Sequence, residues 1–249
     1  MGDTQLVLKV VAEGLTTSFR YPHFMYGIQP TYPMPPLATL YGHIASTLGY
    51  WFDPAGVEVG FLFSYQSKFT DMEHVHLVSA AGPRAKMPNS NLPKATEGSI
   101  NPFNREQLYR PRLVLYLNRP EWEAHFRSPR YPVILGRSQD LFMYTKVELV
   151  ELNRSPNAYF QDTLAPYDFA RRTAVGTVYL MPRFLDYENN RFPTFDRFVA
   201  IQRRVHARDL LRNADEEPLE WWVDPSEPQI EGDALGIILH TWHRRENET

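Results

Sequence analysis

The first fifty residues predict a strand, an irregular loop and a helix in succession. Residues 6–11 form an unbroken apolar run, which is typical of a buried strand. Prolines recur through residues 14–36 and exclude a helix or a central strand there. A helix is predicted to begin after Pro36 and to end at Gly49. Its apolar face would comprise Leu37, Leu40, Tyr41, Ile44 and Leu48.

The following hundred residues predict more strands, one short helix and a long arm. Extended patterns occupy residues 57–65, 112–117, 132–135 and 141–152, with a short helix at 120–126. Between 67 and 112 glycine and proline break the pattern, which indicates a hairpin that leaves the domain body. The order strand, helix, strand, arm, strand, helix, strand is that of a ferredoxin-like (RRM-like) βαββαβ unit with an insertion.

The last third of the chain predicts a smaller β-rich lobe. Strand-like runs at 176–185, 195–206 and 234–242 are joined by polar loops. We therefore predict an α+β protein of two parts. A ferredoxin-like domain would span 1–152, with the arm at about 67–112, and the β-rich lobe would span 153–249.

Composition narrows the class of protein. Hydrophobic residues make up 43% of the 249 residues, which excludes a disordered chain. The absence of cysteine excludes a disulfide framework, a thiolate zinc site and a cysteine nucleophile. No stretch approaches the ~18 apolar residues of a membrane span, and residues 1–5 lack the pattern of a secretion signal. We expect a soluble cytoplasmic protein with no membrane partner.

The charge is unevenly distributed along the chain. The net charge is -3, but residues 213–233 carry eight acids and no lysine or arginine. Without these eight, 21 of the 29 acids remain against 26 basic residues, a net charge of +5. Arginine far outnumbers lysine, which favours phosphate contacts, although genome composition alone could produce the same bias. Trp221 and Trp222 lie inside the acidic stretch and suggest a contact with another protein.

The chain contains none of the common signatures of catalysis. There is no GxGxxG, GxxxxGK[ST], GxSxG or HExxH motif. His74 and His76 would share one face of a strand, but a metal site needs further ligands that the sequence does not supply. A metal-free ribonuclease would need an acid and a base, for which His23, Tyr41 and His43 are candidates. We predict a protein that is not an enzyme and needs neither metal nor cofactor.

Three features instead indicate binding to single-stranded RNA. Residues 19–24 place aromatic rings beside a cation, and such rings stack on unpaired bases. The arm is basic, and a glycine turn at 135–140 could present backbone N–H groups to an anion. The candidate RNA-binding residues are Ser18, Arg20, Tyr21, His23, Thr39, Tyr41, His43, Arg84, Lys86, Arg105, Arg110, Gly136, Arg137 and Ser138.

Four stretches also carry a resemblance to a known family. They are 17–20 (Thr-Ser-Phe-Arg), 29–42 (Gln-Pro-Thr-Tyr-Pro-Met-Pro-Pro-Leu-Ala-Thr-Leu-Tyr-Gly), 109–113 (Tyr-Arg-Pro-Arg-Leu) and 135–140 (Leu-Gly-Arg-Ser-Gln-Asp). In this order they resemble the RAMP-type subunit that caps the 5′ handle of the guide RNA (crRNA) in type I CRISPR Cascade complexes. The chain is most similar to type I-B members.

The resemblance implies a fold, a function and a set of partners. The arm would be a β-hairpin thumb, and the ferredoxin-like domain would bind the crRNA 5′ handle in a ribonucleoprotein complex of antiviral defence. The partners would be the backbone RAMP subunits, the large PAM-recognising subunit and, indirectly, target DNA.

The resemblance also bears on whether the chain cuts RNA. One branch of the family, in type I-C, processes precursor crRNA with Tyr, Lys and His near the thumb and the strand that follows it. Here that strand, residues 112–118, contains neither Lys nor His, so we predict a non-catalytic subunit. The alternatives are a metal-independent endoribonuclease that processes precursor crRNA, with His43, Tyr41 or His74 as candidates, and a β-rich protein-interaction module.

Overall fold

The computed structural model describes residues 3–24, 27–173, 175–210 and 219–243. Three acids of the predicted acidic stretch, Asp215, Glu216 and Glu217, lie outside these ranges. The elements up to residue 155 are β1 (Thr4–Gly14), β2 (Thr16–Thr17), β3 (Ile28–Gln29), α1 (Leu37–Leu48), β4 (Val59–Ser64), β5 (Ser67–Ala80), β6 (Thr96–Tyr109), β7 (Arg112–Leu117), a 3₁₀ turn (Pro120–Trp122), α2 (Glu123–Arg127) and β8 (Phe142–Ser155).

The elements after residue 155 are mostly short strands. They are β9 (Ala158–Phe160), β10 (Thr163–Pro166), a 3₁₀ turn (Tyr167–Arg171), β11 (Thr177–Asp186), β12 (Phe192–Ile201), β13 (Val205–His206), a 3₁₀ turn (Ala207–Asp209), β14 (Trp221–Asp224) and β15 (Ala234–Ile237). The described chain is therefore a mixed fold in which strands predominate over two α-helices.

One sheet of eleven strands organises the described chain. Its order is β11-β12-β10-β4-β7-β1-β8-β14-β15-β9-β13. The middle four strands, β4-β7-β1-β8, are antiparallel and alternate in sequence with α1 and α2. Strands from the last third extend both edges of this group, because β10 pairs with β4 and β14 pairs with β8. The two parts of the chain therefore share a single sheet.

The central strand β1 is buried on both faces, which accounts for its unbroken apolar run. Leu8 and Val10 pack into the core that contains α1. Val7 and Val11 pack on the opposite face with Tyr116. Alternate residues of a strand point to opposite faces, so a strand covered on both sides needs apolar residues at nearly every position.

Helix α1 has the boundaries and the buried face that its sequence predicts. Its buried residues include Leu37, Leu40, Tyr41, Ile44 and Leu48. Gly49 ends it with a φ of 86°, and its N–H donates to the Ala45 carbonyl, as in helices that end on a left-handed residue. Neither this helix nor any other in the described ranges is long and apolar enough to cross a membrane.

The predicted arm is a long antiparallel hairpin, referred to below as the hairpin. β5 and β6 pair over their whole length, from Ser67 opposite Tyr109 to Ala80 opposite Thr96. At its base, β6 also pairs with β2 and β3. Most hairpin side chains are exposed, so the ribbon projects from the sheet.

Three strand predictions need correction. Residues 132–135 form no strand, and only Ile134 bridges to Leu141, because the chain turns back on itself at Gly136 directly after this run. The run at 195–206 is divided into β12 and β13. In the run at 234–242 the strand ends at Ile237, and beyond it His240 forms a single bridge with Val59 of β4. Trp242 donates its indole N–H to the Leu37 carbonyl at 2.8 Å.

Two acids of the acidic stretch, Asp224 and Glu227, neutralise a buried lysine. Lys9 of β1 is 1% exposed, and its Nζ donates to Asp224 at 2.6 Å and to Glu227 at 2.7 Å. Tyr116 and Ser226 also donate to Asp224, at 2.8 and 2.6 Å. Burial acts to raise the pKa of Asp224, but the Lys9 and Ser226 contacts outweigh it, so this pKa is lowered. We call these five residues the Lys9 cluster.

The two tryptophans of this stretch also pack internally. Trp221 meets the Phe160 ring edge-on at 4.9 Å, and the Arg154 guanidinium lies 4.0 Å from the centre of the Trp222 ring. Both tryptophans belong to β14, which pairs with β8. Their contacts thus join the last third of the chain to the central strands. Both side chains stay half-buried and line a surface cavity with Glu220 and Arg154, so the suggested contact with another protein stays a prediction.

Replacing Lys9 by methionine should destabilise the protein strongly. Lys9→Met keeps the volume but leaves the Asp224 and Glu227 carboxylates without their cation, and breaking a buried pair from one side costs about 3 kcal/mol or more. The free energy of unfolding, measured by urea denaturation at neutral pH, should fall accordingly. Lys146→Met is the control, because Lys146 is exposed and pairs only at the surface. Equal effects of the two substitutions would contradict the role of the Lys9 cluster.

Candidate nucleic-acid interface

A cleft of about 800 Å³ lies beside the first turns of α1. Loops near residues 18–22 and 134–137 form two of its walls, and β6 and the β11–β12 hairpin complete it. Half of the predicted RNA-binding residues line this cleft: Ser18, Arg20, Thr39, His43, Arg105, Gly136 and Arg137. The structure therefore brings together three separate sequence features, which are the segment after β1, the entry to α1 and the glycine turn.

The cleft is lined by cations. Arg20, Arg105, Arg137 and Arg191 reach it, and none of the described residues that line it is acidic. Arg105 donates to a Glu73 carboxylate oxygen, and Arg137 pairs with Asp140, so both are held in place by acids outside the cleft wall. Arg20 and Arg191 are exposed and have no hydrogen-bonded or ion-paired side-chain partner in the described ranges. These two guanidinium groups are available to an anion.

The turn at 135–140 is shaped by a close approach that only glycine permits. Gly136 has a φ of +100°, and a Cβ there would lie against the Thr17 Oγ1 and 2.9 Å from the Ser18 carbonyl oxygen. Thr17 donates its hydroxyl to the Leu135 carbonyl at 2.5 Å. The sequence motif therefore joins this turn to the segment that carries Arg20.

Arg137 is fixed in that turn by the carboxylate of Asp140. Its Nε and Nη2 donate to the two carboxylate oxygens at 2.9 and 2.7 Å, and Nη2 also donates to Gln107 at 3.1 Å. The hydrogen bond to Asp140 is the largest cause of the raised pKa of Arg137. The Arg137 charge is therefore permanent, but much of it is already neutralised by Asp140.

The N-terminal end of α1 adds positive potential to the same cleft. Ala38 and Thr39 of its first turn line the cleft, and no acidic residue lies in that turn. The first N–H groups of a helix lack intrahelical acceptors, and the helix dipole is positive at this end. An anion in the cleft would meet both this helix end and the free arginines.

Tyr21 and His23 lie beside the cleft, on either side of Pro22. Tyr21 stacks on Tyr32 with a centroid distance of 3.7 Å, and burial raises its pKa to about 12. His23 is exposed and stacks on Phe195 at 5.7 Å. Both rings already have an aromatic neighbour, which fixes their orientation and leaves His23 an exposed surface.

Two predicted contact residues, Tyr41 and His43, are buried. Tyr41 is 2% exposed and donates to the Phe52 carbonyl at 2.6 Å, and burial raises its pKa to about 12. His43 is 5% exposed, with Nδ1 2.8 Å from the Ile134 carbonyl and Nε2 2.9 Å from the Tyr144 hydroxyl. His43, predicted as a candidate for RNA contact and for acid–base chemistry, is buried because the loop at 133–135 and β8 cover that side of α1.

The remaining predicted residues lie outside the cleft. Arg84 and Lys86 are exposed at the far end of the hairpin, where Lys86 donates to Asn91 at 3.1 Å. Arg110 lies at the hairpin base over the Tyr109 ring, and Ser138 is exposed in the glycine turn. His74 is exposed on β5, and no group of three or more potential metal ligands occurs among the described residues.

Arg191 is a cleft residue that sequence reasoning missed. It ends the turn between β11 and β12, where Asn190 and Arg191 both have positive φ, at 51° and 58°. Paired asparagines between two extended runs signal such a turn, so the hairpin could have been predicted. Its position beside α1 depends on the fold of the last third of the chain, which no local pattern reveals.

Comparison with known proteins yields structural likenesses only. No protein-family model matches the chain, and no curated protein matches it. A chain of a CRISPR RNA-guided surveillance complex is 14% identical, with 80% of this chain and 89% of that chain aligned at a TM-score of 0.47. A CRISPR protein from Archaeoglobus fulgidus is 10% identical, with 95% of this chain and 99% of that chain aligned at a TM-score of 0.44. No function is transferred from likenesses of this degree.

The burial of His43 predicts a pH dependence of stability. Burial lowers the pKa of His43, so the unfolded chain takes up a proton below about pH 6.5 that the folded chain resists. The free energy of unfolding should therefore fall as the pH decreases from about 7 to 5, and His43→Gln should reduce that slope in urea titrations. His125→Gln, at an exposed position of α2, should leave the slope unchanged. An undiminished slope in His43→Gln would contradict the prediction.

Proposed function

We propose that this chain is a non-catalytic subunit of a type I CRISPR surveillance complex that binds and caps the crRNA 5′ handle. The observation that carries the proposal is the cleft, in which four arginines and a helix N-terminus converge and no described acid lines the wall. Three of the four sequence stretches that resemble the family, 17–20, 29–42 and 135–140, contribute residues to this cleft.

The cleft contains two arginines that are paired with acids and two that are not, and this combination suits the binding of a phosphate backbone. Arg105 and Arg137 are oriented by acids and supply fixed N–H donors at the wall. Arg20 and Arg191 have their charge available, and guanidinium groups bind phosphate oxygens through paired N–H donors. Because these contacts displace counterions from RNA, binding should weaken steeply with salt.

The surrounding surface supports a single strand as the ligand rather than a duplex. Phe24 and His23, which follow Arg20 closely in the chain, expose aromatic surface on which unpaired bases could stack. The hairpin contributes Arg105 of β6 to the cleft wall and projects from the sheet there, as expected of a thumb that packs over the guide RNA. The antiparallel β4-β7-β1-β8 group with its two helices supports assignment as a ferredoxin-like domain of the RAMP type.

The proposal includes partner proteins and an absence of cleavage. The partners would be the backbone RAMP subunits and the large PAM-recognising subunit, with target DNA engaged indirectly. Non-catalytic binding is supported by His43 and Tyr41, because both nitrogens of His43 are occupied and the Tyr41 hydroxyl is buried. To act as an acid or a base, His43 would have to give up one of these hydrogen bonds.

The first test is the affinity of arginine variants for single-stranded RNA. Arg20→Ala and Arg191→Ala of the purified full chain should each weaken binding by roughly three- to tenfold. Each should also reduce the slope of log K against log salt by about 0.7, the value for one lost contact to a single strand. Arg203→Ala is the matched control, because Arg203 is exposed outside the cleft and its loss should change neither quantity.

Two results would contradict the assignment of the cleft as the RNA-binding site. Salt-insensitive binding by the unmodified chain would remove its electrostatic basis. Equal losses in Arg20→Ala and Arg203→Ala would show that the RNA follows general surface charge. Arg20, Arg191 and Arg203 are all exposed, so folding of the three variants is expected to be unaffected.

The second test concerns cleavage. When purified protein is incubated in EDTA with a CRISPR repeat RNA, the RNA should bind to the protein and remain uncut throughout the incubation. Specific cleavage that persists in EDTA and is lost in His43→Ala or His74→Ala would establish the endoribonuclease alternative instead. His125→Ala serves as the control for nonspecific effects of removing an imidazole.

A further inference from the structure

Stacked aromatic rings reach the surface at the C-terminal end of α1. Trp51 stacks on the buried Tyr41 with a centroid distance of 5.7 Å and on Tyr187 with one of 4.8 Å. The rings are nearly parallel, at 17° and 14°. Trp51 is nevertheless 51% exposed and Tyr187 39% exposed, and neither lines the cleft. We call Trp51 and Tyr187 the outer rings.

The outer rings are attached to a rigid part of the core. Tyr41 donates its hydroxyl to the Phe52 carbonyl at 2.6 Å, and the Phe52 ring meets that of Trp122 edge-on at 5.0 Å. Because stacking fixes the orientation of the outer rings, a partner that covers them has little side-chain motion to restrict. Exposed tryptophan and tyrosine held in this way are typical anchors of protein interfaces.

Three carboxylates surround the outer rings. Asp186 and Glu188 flank Tyr187 in the chain, and Asp53 follows Trp51 by two positions. Partial burial raises the pKa of Tyr187, and the charges of Glu188, Asp186 and Asp53 raise it further, so all three acids lie near its ring. Asp53 and Asp186 each accept backbone N–H groups through Oδ1 alone. None of the three is paired with a cation in the described ranges, so their charge is uncompensated.

The end of α1 adds to this negative potential. The helix ends at Gly49, and the carbonyl groups of its last turn carry the negative end of the helix dipole. Arg130 packs against Gly49, but its guanidinium lies 5.6 Å from the centre of the Tyr131 ring and has no ion pair with the three acids among the described residues. The surface therefore combines exposed aromatic rings with negative charge.

We infer that the outer rings and the three acids form a docking surface for a basic segment of a partner protein, with an arginine of that segment stacked on Tyr187. A guanidinium suits the surface better than an ammonium, because its plane stacks on an aromatic face while its N–H groups reach carboxylates. Nucleic acid does not suit it, because the carboxylates repel phosphates. The inference goes beyond the proposed function, since it does not depend on RNA in the cleft.

The test compares two octapeptides of equal charge, one of alternating arginine and glycine and one of alternating lysine and glycine. Each is titrated by calorimetry into the full chain without RNA. The unmodified chain should bind the arginine peptide about two- to fivefold more tightly, the advantage of an exposed cation–π contact. Tyr187→Ser should bind both peptides with the affinity of the unmodified chain for the lysine peptide. Tyr167→Ser is the matched control and should keep the preference, because Tyr167 is 37% exposed and Arg197 already lies over its ring.

A second pair of variants tests the charge and does not depend on how Tyr187→Ser folds. Asp53→Asn keeps an acceptor for the Ala55 N–H, and it should weaken both peptides by about two- to threefold while the preference for arginine remains. Glu151→Gln, at an exposed position of β8, should change neither affinity.

Three outcomes of these titrations would overturn the inference. They are equal binding of the two peptides by the unmodified chain, a preference for arginine that survives in Tyr187→Ser, and equal losses in Asp53→Asn and Glu151→Gln. Sedimentation of the same proteins adds a fourth. Self-association of the unmodified chain that disappears in Tyr187→Ser would assign the surface to a second copy of the chain instead.

Discussion

The contact of Gly136 with Thr17 and Ser18 is the constraint on which the cleft depends. It joins a turn before β8 to the segment after β1, and the buried Asp140 carboxylate strengthens it by accepting from Arg137 and Thr16. A side chain at position 136 would separate these segments and displace Arg137 from the wall shared with Arg20. The charge of the site thus follows from a backbone contact, because rigid placement of cations makes them effective toward a phosphate chain.

That constraint also explains why the cleft contains two kinds of arginine. Arg137 and Arg105 build the wall, and each needs an acid to hold it, so much of their charge is already compensated. The uncompensated charge comes from Arg20 and Arg191, which line the cleft from irregular segments. If all four arginines were unpaired, no acid would fix their positions in the wall. If all four were paired with acids, the cleft would have little net positive charge to attract a phosphate.

The sequence predicted those parts of the fold that depend on local periodicity. The buried face of helix α1 and its end at Gly49 were both predicted, because each depends on residues that are close together in the sequence. The burial of His43 was not predicted because the loop and strand that cover it come from residues 133–144, about a hundred positions later. The roles of Asp224 and Glu227 were invisible for the same reason, since their partner Lys9 lies in the first strand. Long-range contacts decide what a polar residue does, and a single sequence does not show them.

The separation of charge by the sheet reconciles a net charge of -3 with the proposed site for RNA. Leu8 and Val10 face α1 and the cleft side, so Lys9 between them points to the opposite face. Asp224 and Glu227 are therefore held across the sheet from the arginines, and Glu231 is engaged by Arg208. Interactions between exposed charges are screened over about 8–10 Å at physiological salt, so acids bound across a packed sheet scarcely reduce the potential in the cleft. A chain that is acidic overall can thus present a basic surface, provided that its acids are used where the fold needs them.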